Sequence, residues 1–195
     1  MVLLFATHNE HKAREIRNVL QGDLQIITLL EAGITDEVPE PYETLEANAS
    51  AKTRTIRERT GLDCFSEDTG LEVTALNGAP GVKSARYAGS DRSTEANMDK
   101  LLSDLAPHTD RSARFRTVIS LLIGGQEFRF EGCCAGHILK EKRGSGGFGY
   151  DPIFIPEGSD RSFAEMDLPE KNRYSHRKKA VEKLVEFLNR YAQTT

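Results

Sequence analysis

The sequence predicts an α/β fold in which a mixed β-sheet is flanked by helices, and three observations carry that expectation. Short apolar runs alternate with stretches of helical periodicity along the 195 residues, the pattern of a layered sheet-and-helix domain. Two β-rich runs, 114–123 and 126–134, are joined by Gly124-Gly125, a hairpin signature that puts an antiparallel pair in the sheet. The alternation elsewhere keeps no strict strand–helix–strand rhythm, so the sheet is mixed rather than all parallel. The length suits one domain, or one domain in two lobes, with a sizeable core.

Residues 2–6 (Val-Leu-Leu-Phe-Ala) read as a buried strand. The polar turn 7–11 then leads into an amphipathic helix with Ala13, Ile16, Val19 and Leu20 on one face. A loop that leaves a strand and opens a helix presents free N–H groups, which favour anions. A second strand is expected around 25–29. The acidic, Pro-punctuated segment 36–43 that follows cannot be regular helix. Thr44 caps a long helix to about Arg59, which Gly61 stops. Residues 62–66 form the next strand, ending at Glu67-Asp68, and the short run 71–76 is open between strand and helix. Apolar Ala96, Leu101, Leu102 and Leu105 mark a surface helix ended before Pro107. After the Gly-rich stretch 144–149 come a short strand at 153–155 and a final helix from Ser175. That helix has Ala180, Val181, Leu184, Val185 and Leu188 on one face.

Composition excludes several classes. A net charge of -4 argues against a protein whose main business is gripping duplex nucleic acid, since such binding draws on a surplus of Lys and Arg. Cys64, Cys133 and Cys134 are odd in number and lack zinc spacing. They include a vicinal pair unsuited to a relaxed disulfide, so a reducing compartment is expected. The apolar run at the start is too short for a signal-peptide core or a membrane span. A cytoplasmic protein with no membrane partner follows as the expectation.

The chemistry concentrates in three places. Ser66-Glu67-Asp68-Thr69-Gly70 sets an acidic pair beside a Gly-rich turn, where carboxylates can hold a hard cation such as magnesium. Asp68 is the first candidate ligand, with Glu67 and Glu40 or Glu43 beside it. Taken alone, Asp-Thr-Gly more often simply closes a strand. Lys12 and Lys52 each follow a loop of interest, and singly each reads as a solvated lysine. Together they suit a triphosphate, which needs several cations from different segments. The run 171–179 is rich in Lys, Arg and His. With Ser175 as a cap, His176 and Arg177 fall in a helix's first turn, against the usual acidic preference there. Gly146-Gly147-Phe148-Gly149-Tyr150-Asp151 adds backbone freedom and two aromatic rings, able either to stack on a nucleobase or to join the core. No GxxxxGK[ST] loop or GxGxxG turn is present, and no Ser or Cys has an evident activating partner.

In order and spacing these segments resemble the inosine triphosphatase family of non-canonical purine nucleoside triphosphate pyrophosphatases. The resemblance runs through 6–12, 44–49, 66–70, 78–81, 84–89, 146–154, 163–166, 170–172 and 175–177. It implies an elongated, twisted sheet in two lobes with a central active-site cleft, within a single domain spanning 1–195. It also implies a cytosolic homodimer that uses magnesium to hydrolyse ITP, dITP and XTP to the monophosphate and pyrophosphate. By motif, Asp68 is the metal-linked catalytic acid–base residue, with Glu40 as the second metal ligand and Glu43 or Glu67 as alternatives. Thr7, His8, Asn9, Glu10, His11 and Lys12, with Lys52 and Thr69, hold phosphates and sugar. Phe148, Gly149, Tyr150 and Asp151, with Lys171, His176 and Arg177, surround the base. The chain departs from the family pattern modestly: Thr69 stands for the commoner Ser, Glu67 for a frequent Asp, Lys83 for Tyr, and Lys178 for Gly. Pyrimidine triphosphates are the alternative substrate class. A non-catalytic nucleotide- or RNA-binding module using the basic run is the alternative role.

Overall fold

The computed structural model describes residues 2–20 and 24–193. Its first elements are strand β1 (Val2–Phe5), helix α1 (Glu10–Val19), strand β2 (Gln25–Thr28), helix α2 (Leu45–Thr60) and strand β3 (Cys64–Val73). Then come strand β4 (Pro80–Gly81), helix α3 (Thr94–Asp104) and the hairpin strands β5 (Ser112–Ile123) and β6 (Gln126–Ile138). Strand β7 (Phe154–Pro156), the short helix α4 (Leu168–Lys171) and helix α5 (His176–Tyr191) complete the described chain. The strands run in the order β2-β1-β3-β5-β6-β7, with β4 paired to β3. β1 lies parallel to both β2 and β3, while β3–β4 and β6–β7 are antiparallel, so the sheet is mixed as expected.

Caps account for the helix boundaries. Asn9, Thr44 and Ser93 each accept a backbone N–H from the first turn of α1, α2 and α3, which satisfies donors the helix cannot serve itself. Gly61 closes α2 in the left-handed region at φ 70°, a conformation open to glycine at little cost. Gly124 and Gly125 take φ of 56° and 80°, matching the turn that a two-residue hairpin requires.

Two compact units emerge. The first comprises 1–68, 117–132 and 177–195, the second 69–116 and 133–176. In the first, Leu3, Phe5 and Phe65 pack with Ala13 and Ile16 of α1 and with Ala180, Val181 and Leu184 of α5. On the opposite face of the same strands, Leu4, Ala6 and Cys64 pack with Ile56 of α2. This alternation is the period of two that a strand imposes. The second unit has its own core, where Leu71, Val73, Leu101, Phe115, Phe154 and Phe163 gather.

One expected boundary is corrected. β3 does not end at Glu67-Asp68 but continues to Val73, and the run 71–76 divides into the end of that strand and a single 3-10 turn (Thr74–Leu76). The reason is Gly70. A Cβ at Gly70 would lie 2.6 Å from the Gly81 carbonyl oxygen, so its lack of a side chain lets β4 pair closely against an uninterrupted strand. The hairpin also runs longer than expected, because β6 extends to Ile138 to pair with β7.

Candidate active site

Because β3 is extended through the acidic pair, neighbouring side chains leave on opposite faces. Ser66 and Asp68 follow Cys64 toward α2; Glu67 follows Phe65 toward α1 and α5. The two carboxylates therefore have different surroundings and different chemistry.

On the α2 face, Ser66 Oγ donates to the Ala49 carbonyl at 2.6 Å, and Thr53 Oγ1 donates to the Ser120 carbonyl at 3.0 Å. These bonds pin the helix to the strands. One turn apart on that helix, Asn48 and Lys52 point at Asp68. Asn48 Nδ2 lies 3.3 Å from Asp68 Oδ2 and 3.0 Å from the Tyr42 carbonyl, while Asn48 Oδ1 accepts the Tyr42 N–H at 2.9 Å. A single amide thus ties the Pro-rich acidic segment to the buried carboxylate. Lys52 Nζ donates to Glu40 Oε1 and to the Glu67 carbonyl, both at 2.6 Å, and stands 3.7 Å from Asp68 Oδ1. Burial pushes the Asp68 carboxyl up, and Lys52 and Lys12 offset that only in part, so it stays above its ordinary value. Burial pulls the Lys52 ammonium down, yet Asp68 and Glu40 more than compensate and hold it charged.

On the other face, Glu67 receives Arg177 Nε at 2.8 Å and Nη2 at 2.9 Å, a bidentate fork. Lys12 Nζ adds a contact to Glu67 Oε1 at 3.0 Å. Arg177 Nη1 donates to Glu15. Burial pushes Glu67 up, but Arg177 and Lys12 pull it further down, well below the usual carboxylate range. The entry loop of α1 is ordered locally: Asn9 N donates to Thr7 Oγ1 at 3.1 Å, Lys12 N to Asn9 Oδ1 at 3.1 Å, and His8 Nε2 sits 2.9 Å from the Ile34 carbonyl. Glu10 opens α1 and His11 follows on its exposed side.

The second unit holds a different group. Asp151 Oδ2 accepts the Phe148 N–H at 2.9 Å and Lys171 Nζ at 2.6 Å, with both side chains buried. The Lys171 ammonium lies 5.1 Å from the Phe148 ring centre and 5.2 Å from that of Phe163, within cation–π range. Gly149 bends the loop at φ 61°. Tyr150 is buried with its hydroxyl on the Ser84 carbonyl at 2.8 Å. His176 stacks on Phe115, centroids 4.7 Å apart. Thr69 is half-buried at the start of this unit.

The first unit thus gathers Lys12, Glu40, Lys52, Asp68 and Arg177. The second gathers Phe148, Asp151 and Lys171, while Tyr150 and His176 lie in or against its aromatic core. Glu43 is exposed beside the cap of α2. Asn48 and Glu15 were not singled out from sequence. The available signal was polar residues on buried helix faces, Asn48 between Leu45 and Ala49 and Glu15 beside Ile16.

An α/β frame here sets two lysines around buried carboxylates, the mix of cations and hard oxygen donors that a metal-bound polyphosphate calls for. The Ham1 family model matches residues 3–187, and the chain belongs to the Ham1 family. It is 48% identical to a Christiangramia forsetii protein named dITP/XTP pyrophosphatase, covering 97% of this chain and 100% of that one. It is 52% identical to the Porphyromonas gingivalis protein of the same name, over 95% and 96% of the two chains. Among solved structures it resembles the Staphylococcus aureus Ham1 protein, with TM-score 0.87, 37% identity and coverage of 97% and 98%. A Coxiella burnetii HAM1 protein matches with TM-score 0.89, 36% identity and coverage of 97% and 99%. Among the described residues no helix is long and apolar enough to cross a membrane.

Proposed function

We propose that this chain hydrolyses the non-canonical purine nucleotides ITP, dITP and XTP to the monophosphate and pyrophosphate, keeping deaminated bases out of DNA and RNA. One observation carries the reading. The buried Asp68 carboxylate is held by Asn48 at 3.3 Å and faced by Lys52 at 3.7 Å, with Glu40 on the same ammonium. The names of the relatives support the substrate class.

Magnesium takes one or two protein carboxylates and completes its shell with water and phosphate oxygens. Asp68 and Glu40, two hard-oxygen donors gathered on one lysine, fit that need and would hold the ion. Among the described residues no larger cluster of His, Cys, Asp or Glu competes with them. Glu67 is committed to Arg177 and Lys12. When bound, the ion supplies positive charge to the phosphate oxygens.

In the mechanism, water attacks the α-phosphorus and the bond to the bridging oxygen breaks, releasing pyrophosphate. Asp68 orients the water and takes its proton; burial makes this carboxylate a better base than an exposed one. Lys12 and Lys52 offset the charge that develops on the leaving group. The loop from Thr7 to His11 and the Thr69 hydroxyl are assigned to phosphates and sugar. Phe148, Gly149, Tyr150, Asp151, Lys171 and His176 are assigned to the base. A six-oxo purine offers an acceptor where adenine offers a donor, so a pocket of donors such as the Lys171 ammonium rejects adenine. Arg177 is assigned to the base as well: its Nε, Nη1 and Nη2 serve Glu67 and Glu15, and a guanidinium carries five N–H donors.

Hydrolysis of ITP in oxygen-18 water tests the chemistry. The label is expected in the monophosphate, and Asp68→Asn should abolish turnover while leaving the fold intact. Label in pyrophosphate or inorganic phosphate, or a near wild-type Asp68→Asn enzyme, contradicts it. The same reading includes a cytoplasmic homodimer; a solution mass twice that of the chain is expected, and a monomer at working concentration would remove that part.

A further inference from the structure

Glu15 lies on α1 one turn beyond Lys12, on the same side of the helix. It is buried, as are Glu67 and Arg177. Lys12 is the most exposed member of this set, its side chain 18% exposed against 9% for Glu15. The two cations and two carboxylates of this set sum to zero charge, and with Glu15 absent the remaining three carry a net positive charge. Arg177 and Glu67 alone would form a neutral pair with nothing left over to hold a second cation. Glu15, by taking Arg177 Nη1, supplies the surplus negative charge that lets Glu67 Oε1 receive Lys12 Nζ at 3.0 Å.

We propose that Glu15 is a positioning residue for Lys12, acting through Arg177 and Glu67. The reach of Lys12 toward the phosphate chain is thereby fixed by a carboxylate that touches no substrate. An ammonium held in place loses less freedom when phosphate arrives than one swinging on a four-carbon stem. The consequence rests on the pyrophosphatase reading; the placement of Lys12 does not.

A double-mutant cycle on the full chain tests it, with ITP as substrate. Glu15→Gln is expected to lower kcat/KM on the order of tenfold, mainly through KM, and Lys12→Met to lower it further. The double variant should be no worse than Lys12→Met alone. Additive losses, as for a merely structural carboxylate, overturn the proposal. A readout independent of turnover separates this from the parent reading: reductive methylation of Lys12, followed by mass spectrometry, should be faster in Glu15→Gln than in the wild type while Lys178 is unchanged. Unchanged labelling of Lys12 overturns the proposal even if pyrophosphate is released. Faster labelling sustains it even if ITP proves not to be the substrate. If the Gln variant does not fold, Glu15→Asp, whose carboxylate falls one methylene short of Arg177, carries the same cycle and labelling.

Discussion

Glu67 and Asp68 are adjacent in sequence and opposite in electrostatics. Asp68 is raised above its ordinary 3.8, so its contribution to folding is most favourable at low pH and is lost as pH rises through the folded value. Glu67 is depressed from 4.5, so its contribution is fully present above about that pH and is lost as pH falls toward the folded value. Glu67→Gln removes the bidentate carboxylate from the buried Arg177 guanidinium. It should cost about 3 kcal/mol near neutral pH and flatten the decline in stability below pH 4.5, read from denaturation at a series of pH values. A variant as acid-sensitive as wild type would show that the Glu67–Arg177 pair does not govern that limb. Chemistry made Asp68, Lys12 and Lys52 visible in the sequence, since a carboxylate and two lysines in separate segments suit polyphosphate. The division of labour within the acidic pair was not visible, because it depends on strand phase, and the strand was expected to stop there.

Element boundaries were legible wherever a single residue enforces them. Thr44 and Gly61 bracket α2, and Gly124-Gly125 turns the hairpin, because caps and left-handed turns are local in sequence. The course of β3 was not, because Gly70 is needed by a strand eleven residues away rather than by its own turn. Gly147 makes room in the same way at shorter range. It lies at φ 71°, and a Cβ there would come within 2.0 Å of Asp151 Oδ2, the atom that holds both Phe148 N and Lys171. Gly147→Ala should therefore release the Lys171 ammonium as well as strain the loop. A loss of about 1–3 kcal/mol in chemical denaturation is expected, together with a raised KM for ITP. Unchanged KM in a folded Gly147→Ala protein would remove Lys171 from the base-binding assignment.

At the scale of the molecule, each unit carries one set of chemical groups: carboxylates and lysines in the first, an aromatic–lysine–aspartate group in the second. β3 passes from one unit to the next directly after Asp68. The mixed sheet and its helices were legible from periodicity, because each face must bury apolar side chains. Where the chain passes from one unit to the other was not, since β3, β5 and β6 each contribute to both and nothing in their sequence marks the change. The central claim is that these groups select and cleave the deaminated purine triphosphates ITP, dITP and XTP. Its most direct test is pyrophosphate release from ITP, dITP, XTP, ATP and GTP at matched concentrations, with magnesium and with chelator. Rapid release from the first three, little from ATP and GTP, and loss of release on chelation are expected. Equal release from ATP, or release that survives the chelator, would contradict the claim.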